Sequence, residues 1–284
     1  MGQFKINNGK HITCLFENLP NVAKMVFRYY DKPEYDRCIF VLNYALDRAS
    51  ISALRKDHGY SRVIFYNLEH LTAAKYFAQS NTWREYLIGT LYGYDEIWDF
   101  LIENYEMYPD DLRDRYRFMP MRYAGDPVTD CEKLFDIFFA GVIDTRVRHD
   151  FASKANYLYM DNQLSVVIAS GLWGAECDDL MRRARYVLDY PHYRLTGNTQ
   201  NCVRIHDALC NNVPVISYTD TSRVINYFGG IISVINSVDG FSQEKTYNIV
   251  RSQPVNNVAE LYKDLTGSDA DYEKYRSALL SMYF

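Results

Sequence analysis

The sequence predicts an α/β protein with two Rossmann-like domains, whose mainly parallel sheets face each other across a cleft. Short apolar runs alternate with helical patterns along most of the 284 residues, and this alternation is typical of parallel sheets covered by helices. The pattern breaks at residues 121–130, where Gly125 and Pro127 lie in a stretch with little periodicity. Because a chain of this length can bury two separate cores, we place a linker at that break.

The N-terminal domain, residues 1–124, carries five apolar runs of strand length. The predicted strands are His11–Phe16, Arg37–Asn43, Arg62–Asn67, Glu96–Phe100 and Tyr116–Met121. Helical periodicity predicts helices between them, at Val22–Tyr30, Ile51–Asp57 and Thr82–Leu91. Ser50 is the expected N-cap of the second helix, and Gly59 stands just past its end.

The C-terminal domain, residues 131–256, restarts the alternation. The predicted strands are Leu134–Gly141, Ser165–Ala169, Tyr186–Asp189 and Pro214–Ser217, and the predicted helices are Arg146–Met160, Glu176–Ala184 and Thr199–Cys210. Residues 257–284 indicate two further helices that could pack back on the N-terminal domain. Ser268 is the expected cap of the second of these, with Asp271 three residues on. Asp269 and Asp271 match the D-x-D pattern with which some sugar transferases hold a metal, but their place at a helix start argues against that role.

Charge and composition restrict the possible partners. The formal net charge of -5 opposes a broad nucleic-acid surface, because phosphate binding requires clustered Lys and Arg. Arginines do crowd locally, at residues 113–122 and 182–185, where they could meet an anionic ligand or lie on a solvated helix face or strand edge. The 26 tyrosines are scattered, which favours half-buried structural positions over the alternative that some line a sugar-binding cleft.

Cysteine usage and the N-terminal segment indicate a cytoplasmic protein. The six cysteines form no C-x-x-C pair and have no histidine at zinc-binding spacing. This usage fits a reducing compartment and predicts no zinc site, and no cofactor is expected. Residues 1–10 are polar, unlike a signal peptide, and no apolar run reaches the roughly 18 to 20 residues of a membrane span. We therefore expect a soluble protein, whose oligomeric state the sequence leaves open.

The strand that ends near Gly141 supplies the first candidate site. It runs into a turn and then into a helix with Arg146 and Arg148 in its first turns. Backbone N–H groups at a helix start, together with adjacent guanidinium groups, can hold a pyrophosphate. An ordinary strand-to-helix connection gives the same pattern, since one glycine is neither a dinucleotide fingerprint nor a P-loop.

A polar loop and the helix after it, within residues 193–210, supply the second candidate site. The helix starts in a polar Gly-Asn-Thr loop that contains Asn198 and Thr199, and Asn201 stands in its first turn. Because this start lies beyond a buried strand, its backbone N–H groups point toward the crevice in which α/β sheets bind nucleotides. The helix has a polar face with Gln200, Arg204 and Asp207, and an apolar face, expected to pack inward, with Cys202, Ile205 and Leu209. The polar face could bind a ligand or form a solvated Arg204–Asp207 pair.

Gly171, Trp173 and Gly174 form the third candidate site, just beyond another buried strand. Two glycines permit close backbone approach, and Trp173 is suited to stacking on a base or a sugar. The indole could equally be a core side chain.

The order and spacing of these segments resemble the donor-binding half of GT-B glycosyltransferases. The resemblance covers residues 134–218 and is carried by Ala140-Gly-Val-Ile-Asp-Thr-Arg-Val-Arg, Gly171-Leu-Trp-Gly-Ala-Glu, Arg185-Tyr-Val-Leu-Asp and Val203-Arg-Ile-His-Asp-Ala-Leu with the following Val213-Pro-Val-Ile-Ser. It is closest to bacterial and viral proteins of the spore-maturation type, which are similar to glycosyltransferase families 1 and 4. The N-terminal half resembles the acceptor side more loosely, through Val63-Ile-Phe-Tyr-Asn-Leu-Glu-His and Tyr94-Asp-Glu-Ile-Trp-Asp.

The resemblance implies a metal-independent, hexosyltransferase-like enzyme that moves a sugar from a nucleoside diphosphate sugar to a hydroxyl acceptor. The acceptor would belong to a glycan, a protein or modified DNA. Arg146 and Arg148 would face the diphosphate, Gly171 to Trp173 the base, and the segment 198–207 the ribose and the sugar. The family often has a pair of glutamates in that last segment, whereas this chain has Thr199, Asn201 and Asp207.

An acid or base for the acceptor hydroxyl is expected from the N-terminal domain. Glu69 and His70 follow the predicted strand Arg62–Asn67 and are the best placed, with His11 as another option. A plain surface role is the alternative for each of them.

Two other functions stay open at this point. A non-catalytic GT-B-like module would bind a partner protein or glycan through its tyrosine-rich surface, and the missing glutamate pair favours it. A viral transferase that acts on hydroxymethylated DNA bases would use the arginine cluster at residues 113–122, although the acidic net charge opposes it.

Overall fold

The computed structural model describes residues 5–17, 19–43, 45–69, 71, 80–125, 131–143, 146–190, 202–218, 231–235, 241–252 and 257–283. These residues belong to two compact units, which divide between Ala124 and Gly125. Each unit contains one sheet of mainly parallel strands. No helix within the described ranges is both long and apolar enough to cross a membrane.

The first unit is built on a six-stranded sheet whose strands lie side by side in sequence order. The strands are β1 (Lys5–Asn8), β2 (Ile12–Phe16), β3 (Cys38–Leu42), β4 (Arg62–Asn67), β5 (Glu96–Asp99) and β6 (Tyr116–Phe118). β1 pairs with β2 antiparallel, and each later pair is parallel. The helices are α1 (Pro20–Tyr30), α2 (Arg48–His58), α3 (Ser80–Leu91) and α4 (Asp110–Arg113), with 3-10 turns at Pro33–Tyr35 and Ile102–Met107. The five predicted strands and three predicted helices are confirmed, whereas β1, exposed throughout, was not predicted.

Aromatic side chains fill the core of the first unit. β3 is buried at all five positions, as expected for an interior strand of a parallel sheet. Trp98 lies edge-on to Tyr30 and Phe40, with ring centroids 4.6 and 4.9 Å away, and such pairs add to the hydrophobic gain. Tyr66 and Tyr94 are fully buried as well. Many tyrosines of this unit are therefore structural.

The start of α2 corrects one expectation. Its N-cap is Asp47 rather than Ser50, and the Asp47 carboxylate accepts a hydrogen bond from Ser50 N at 2.7 Å. The helix begins earlier because Arg48 and Ala49 have high helical propensity and aspartate is as good a cap as serine. The predicted end is confirmed, since Gly59 follows the helix with a φ of 69°, which glycine adopts without a Cβ penalty.

Asp31, just after α1, binds the turn between β1 and β2. Its carboxylate accepts hydrogen bonds from three consecutive backbone amides, those of Lys10 (2.8 Å), His11 (2.6 Å) and Ile12 (3.2 Å). Burial acts to raise the pKa of Asp31, but these hydrogen bonds prevail and lower it below its ordinary value. The fold therefore stabilises the ionised form.

Replacing Asp31 with Ala is expected to lower the free energy of unfolding by about 1 to 2 kcal/mol at neutral pH, because three amides lose a charged acceptor at a partly solvated site. The folded-state pKa lies below the unfolded one, so this stabilisation is present at neutral pH and is lost as the pH falls through the folded pKa. Urea unfolding from about pH 7 down to about pH 3 measures it. Asp57→Ala, at an exposed position of α2, is the control. Equal pH dependence in wild type and Asp31→Ala would contradict the assignment.

The second unit is built on a five-stranded parallel sheet. Its strands are β7 (Phe135–Ala140), β8 (Val166–Ala169), β9 (Ala184–Asp189), β10 (Val215–Tyr218) and β11 (Ile232–Ile235). Their order across the sheet is β11-β10-β9-β7-β8, so the chain moves from β7 to one side for β8 and to the other side for β9.

Six helices of the second unit lie within the described residues. They are α5 (Arg146–Asn162), α6 (Ala175–Arg182), α7 (Cys202–Cys210), α8 (Gln243–Arg251), α9 (Val258–Thr266) and α10 (Asp269–Tyr283). The strands and helices predicted up to residue 218 are confirmed, although residues 199–201 of the predicted helix lie outside the described ranges. β11 and α8 were not predicted. Ser268 caps α10 as expected, its Oγ accepting a hydrogen bond from Asp271 N at 3.0 Å.

An aromatic cluster also forms part of the core of the second unit. Phe151 of α5 stacks on Tyr190 with a centroid distance of 4.8 Å, and Tyr190 meets Tyr218 edge-on at 5.2 Å. Burial raises the pKa of Tyr218 to about 12, so its hydroxyl stays neutral and bonds to Thr246 of α8 at 2.5 Å. Tyr190 and Tyr218 therefore have a structural role in the core of the second unit.

Candidate active site

The candidate site lies at the carboxyl edge of the second sheet, where the strand order reverses. β8 and β9 flank β7 on opposite sides. In open parallel sheets, ligands bind outside the carboxyl ends of the strands at such a reversal. β7 ends at Ala140 and β9 ends at Asp189, so the residues around these two ends form the candidate site.

Arg204, in the first turn of α7, joins the ends of these two strands. Its Nε donates to Ala140 O at 2.8 Å, and its Nη1 donates to Asp189 Oδ1 at 2.6 Å. Ser217 of β10 donates to the other carboxylate oxygen, Asp189 Oδ2, at 3.0 Å. Arg204 is 7 % exposed and Asp189 is 1 % exposed. The ion pair is therefore buried and fixes α7 against the ends of three strands.

Gly141 follows β7 and lies next to two guanidinium groups. A Cβ on Gly141 would lie 2.9 Å from Arg204 Nη2, 3.2 Å from Arg148 Nη1 and 3.0 Å from Phe139 Cζ. The guanidinium carbons of Arg148 and Arg204 lie 5.3 and 4.8 Å from the centre of the Phe139 ring, within cation–π range. A side chain at position 141 would push these groups apart. Glycine allows two cations to converge on one stretch of backbone.

Helix α5 begins at Arg146, as predicted. Arg148 lies in its first turn and is buried, and its Nη1 donates to Val142 O at 2.8 Å. The start of α5 also contributes backbone N–H groups that have no partner within the helix. The side chain of Arg146 lies outside the described residues, so its predicted contact with a diphosphate stays a prediction.

The loop after β8 lies beside the loop after β7. Ile143 N donates to Ser170 Oγ at 3.3 Å, which links the two loops. Gly171 and Gly174 have φ values of 74° and 70°, in the left-handed region that favours glycine. Trp173 between them is 48 % exposed. Trp173 is therefore a surface side chain at this edge and not part of the core.

The polar face predicted for α7 is only partly correct. Arg204 is buried and pairs with Asp189, so the solvated Arg204–Asp207 pair is wrong; Asp207 itself is half-buried. The reason is that Arg204, long enough to reach the sheet, satisfies a buried carboxylate there. The inward packing of Ile205 and Leu209 is confirmed. The predicted site residues Asn198, Thr199 and Asn201, with the Cys202 side chain, lie outside the described residues.

Sequence reasoning missed three residues of this site: Phe139, Asp189 and Ser217. A signal was present for Asp189, because a charged residue that ends the apolar run Tyr186-Val-Leu-Asp must find a partner where the strand ends. The strand order, which places β9 next to β7, was needed to identify Arg204 as that partner.

The arginine cluster at residues 113–122 serves the first unit internally. Arg113 pairs with Asp110 at 2.6 Å, and Arg115 donates to Tyr94 O at 2.7 Å. Arg122 is buried, with its guanidinium carbon 3.6 Å from the centre of the Tyr29 ring. These contacts account for Arg113, Arg115 and Arg122 without an anionic ligand.

The second arginine cluster forms ion pairs within its own unit. Arg182 and Arg183 approach Asp179 at 3.8 and 2.9 Å, and Arg185 approaches Asp136 at 3.3 Å. Helical spacing brings the first two together with their partner. Part of this cluster therefore stabilises α6.

Glu69 lies at the carboxyl edge of the first sheet, two residues after β4. Its Oε1 accepts a hydrogen bond from Asn43 Nδ2 at 3.0 Å. Part of Glu69 is exposed, yet desolvation by the surrounding protein raises the pKa of its carboxyl group, against the effect of the Asn43 hydrogen bond. A raised pKa suits a carboxylate that accepts a proton near neutral pH. His70 lies outside the described residues.

His11 lies at the opposite, amino edge of the first sheet. It directly precedes β2, which runs parallel to β3 and thus in the direction of β4, and its Nδ1 lies 3.2 Å from Asp36 Oδ1. His11 and Glu69 therefore cannot serve one site at the carboxyl edge. Among the residues that the structure describes, no group of three or more His, Cys, Asp or Glu side chains could hold a metal ion.

Comparison with solved structures finds glycosyltransferases. AviGT4, a glycosyltransferase involved in avilamycin A biosynthesis, matches with a TM-score of 0.53 and 10% identity over 93% of this chain and 88% of that one. An α,α-trehalose-phosphate synthase (UDP-forming) from Burkholderia xenovorans matches with a TM-score of 0.49 and 9% identity, over 99% and 88%. Anabaena HepE in complex with UDP-glucose matches with a TM-score of 0.45 and 11% identity, over 92% and 81%. No protein-family model matches the sequence, and no curated protein sequence does.

The likeness to AviGT4 establishes the fold alone, because the identity is only 10%. Two units, each with a mainly parallel sheet, agree with the GT-B fold, so the fold class predicted from the sequence is confirmed. The fold does not establish an activity, because one fold can support many functions and activity depends on the residues of the site.

Proposed function

We propose that this chain is a glycosyltransferase that moves a sugar from a nucleoside diphosphate sugar to a hydroxyl acceptor. The observation that carries the proposal is the convergence of Arg148 and Arg204 on Gly141, at the strand-order reversal of the second sheet. The fold shared with AviGT4, itself a glycosyltransferase, agrees with it. The diphosphate would lie over Gly141, and exposed Trp173 on the neighbouring loop offers a ring for the base.

The two arginines take different parts in this proposal. Arg204 already binds Asp189 and Ala140 O, so it holds the turn at Gly141 in place. Arg148, from the start of α5, supplies charge to the diphosphate, together with Arg146 and the helix N–H groups.

Transfer forms a bond between the acceptor oxygen and the anomeric carbon, and breaks the bond between that carbon and the diphosphate. The diphosphate leaves with the bonding electron pair, so negative charge builds on it. Guanidinium and N–H groups that are fixed before the reaction stabilise this charge without reorganising. The acceptor proton passes to Glu69 or His70 of the first unit. No bound metal or other cofactor is part of the proposal.

A nucleoside diphosphate is expected to stabilise the protein, and the replacement Gly141→Ala is expected to weaken that effect. A ligand at ~100 times its dissociation constant stabilises by roughly 2.7 kcal/mol. The added methyl group would meet both guanidinium groups and occupy the approach of the diphosphate. Thermal shift against UDP, GDP, ADP, CDP and dTDP measures the binding. Gly89→Ala is the control, because a Cβ there meets nothing within 4 Å.

Each outcome separates the candidate functions. No shift with any nucleotide would favour the non-catalytic binding module. An equal shift in Gly141→Ala and wild type would place the nucleotide away from this edge. DNA retention that falls steeply as the salt concentration rises would favour the DNA-modifying transferase. The steepness of that fall is expected to grow with the number of phosphates contacted.

A further inference from the structure

A buried hydrogen-bond cluster in the first unit surrounds Asp99, the last residue of β5. Asp99 is 0 % exposed. Its carboxylate accepts hydrogen bonds from Tyr108 Oη at 2.6 Å, Asn67 Nδ2 at 2.8 Å, Asn104 Nδ2 at 3.0 Å and Leu101 N at 2.9 Å. Burying a carboxylate is costly unless donors of this kind satisfy it.

The two asparagines of the cluster also bind the loop that follows β4. An amide NH2 group has two hydrogens. Asn67 and Asn104 each direct Nδ2 to Asp99 and also to the backbone carbonyl of Glu69, at 3.0 and 2.8 Å. Their oxygens accept as well, Asn67 Oδ1 from Glu69 N at 3.2 Å and Asn104 Oδ1 from Leu71 N at 2.9 Å. Side chains therefore hold the main chain on both sides of Glu69.

Asn43, just after β3, binds the same loop from the neighbouring strand. Its Oδ1 accepts from Leu68 N at 3.1 Å, while its Nδ2 donates to the Glu69 carboxylate. Asn43 has a φ of 58°, a left-handed conformation that asparagine tolerates better than most residues. Three asparagines thus fix both the backbone and the side chain of Glu69.

The Asp99 carboxylate sets the orientation of the side-chain amide groups of Asn67 and Asn104. An ionised carboxylate only accepts hydrogen bonds. Both Nδ2 atoms must therefore turn toward Asp99, which leaves both Oδ1 atoms for the N–H groups of Glu69 and Leu71. Burial raises the pKa of Asp99 to about 7, against its hydrogen bonds, so this acceptor-only form prevails in mildly alkaline solution. A loop that only connects two elements would not require this buried cluster, since its backbone N–H and C=O groups can form hydrogen bonds with water.

We propose that Asp99, Asn67 and Asn104 are positioning residues, which fix Glu69 for proton transfer by holding its main chain in one conformation. This inference rests on the proposed function, because Glu69 is the group that the cluster serves. The cluster itself is buried, so these residues act through Glu69.

A double-mutant cycle tests whether Asn104 acts through Glu69. At about pH 8, above the pKa of Asp99, Asn104→Ala is expected to lower kcat about 10- to 100-fold, since a small misplacement of a reacting group has effects of this size. The KM for the donor stays within about twofold of wild type, because the donor is bound elsewhere. Glu69→Gln also lowers kcat, and adding Asn104→Ala to it has little further effect. Multiplying effects would overturn the proposal.

Backbone hydrogen exchange tests the same cluster without relying on activity. Tyr108→Phe removes one hydrogen bond to Asp99 and leaves the direct contacts of the loop intact. Faster exchange of the amides of Glu69 and Leu71 is expected in both Asn104→Ala and Tyr108→Phe. The control Asp57→Asn, at an exposed position of α2, should leave these amides unchanged. Unchanged exchange in both cluster variants would overturn the proposal.

Failure of the proposed function is distinguishable from failure of this inference. Wild-type protein that transfers no sugar from any donor would overturn the proposed function and, with it, the role of the cluster in positioning Glu69. Active wild-type protein whose Asn104→Ala variant keeps its kcat would overturn the inference and leave the proposed function standing.

Discussion

Replacing Asp189 with Ala is expected to destabilise the second unit by about 3 to 5 kcal/mol, because Arg204 would be left as a buried charge without its carboxylate. Both side chains are almost fully buried, and their closest atoms, Nη1 and Oδ1, lie 2.6 Å apart. Ser217 would lose its acceptor as well. Urea unfolding of the full chain, followed by circular dichroism, measures the loss.

Two further variants identify the cause of that loss. Removing both charges together, as Asp189→Leu with Arg204→Met, is expected to recover much of the stability, because no uncompensated charge remains. Asp150→Ala breaks a half-exposed pair with Lys154 and should change the stability by no more than about 1 kcal/mol. If Asp189→Ala is as mild as Asp150→Ala, the pair does not organise this edge of the sheet.

The second large effect concerns Arg148. Arg148→Ala is expected to lower kcat/KM for the nucleotide-sugar donor by about 100- to 1,000-fold, the usual result of removing one group that stabilises developing charge. Arg148→Lys keeps the charge but loses the planar fork, so an intermediate rate is expected. Steady-state assays with the donor whose nucleotide gives the largest thermal shift provide the measurement.

A matched variant and Tm measurements show whether a loss of activity is only a consequence of impaired folding. Arg182→Ala, on α6 and partly exposed, should keep wild-type kcat/KM. Because Arg148 also donates to Val142 O, the Tm of each variant must be compared, and Arg148→Lys must remain as stable as wild type. If Arg146→Ala combined with Arg148→Ala turned over the donor within a few-fold of wild type, the assignment of these arginines would be wrong.

Most of the fold could be predicted from the sequence, because apolar runs and the spacing of apolar residues indicate which positions of each element are buried. β3, buried at every position, is apolar throughout. β1 escaped prediction because it is exposed and polar, and its position depends on pairing with β2. The cap of α2 was misplaced by three residues because Asp47 and Ser50 are equally good capping residues, and only the backbone geometry chooses between them.

The candidate site could be predicted only in part. Gly141, Arg148 and Trp173 were predicted to lie just beyond strand ends, and the structure places them at the carboxyl edge of the second sheet, because that position follows from the order of strands and helices along the chain. Asp189 and Asn104 were not found, since their roles depend on partners 15 and 35 positions away in the chain. Arg204 was assigned to the wrong environment, because helical spacing shows which residues share a face but not what that face meets.

The sequence by itself determined the alternation of strands and helices, the division into two units and the polar ends of the strands, since each of these is a local pattern of apolar and polar residues. Only the tertiary structure decided that β9 lies beside β7, that Arg204 is buried against Asp189, and that Asp99 holds the loop of Glu69. Those facts depend on strand order and on side chains that meet across the sheet. Local patterns do not encode either one, because the free energy of a buried charge or amide is set by the partner that the whole fold places beside it.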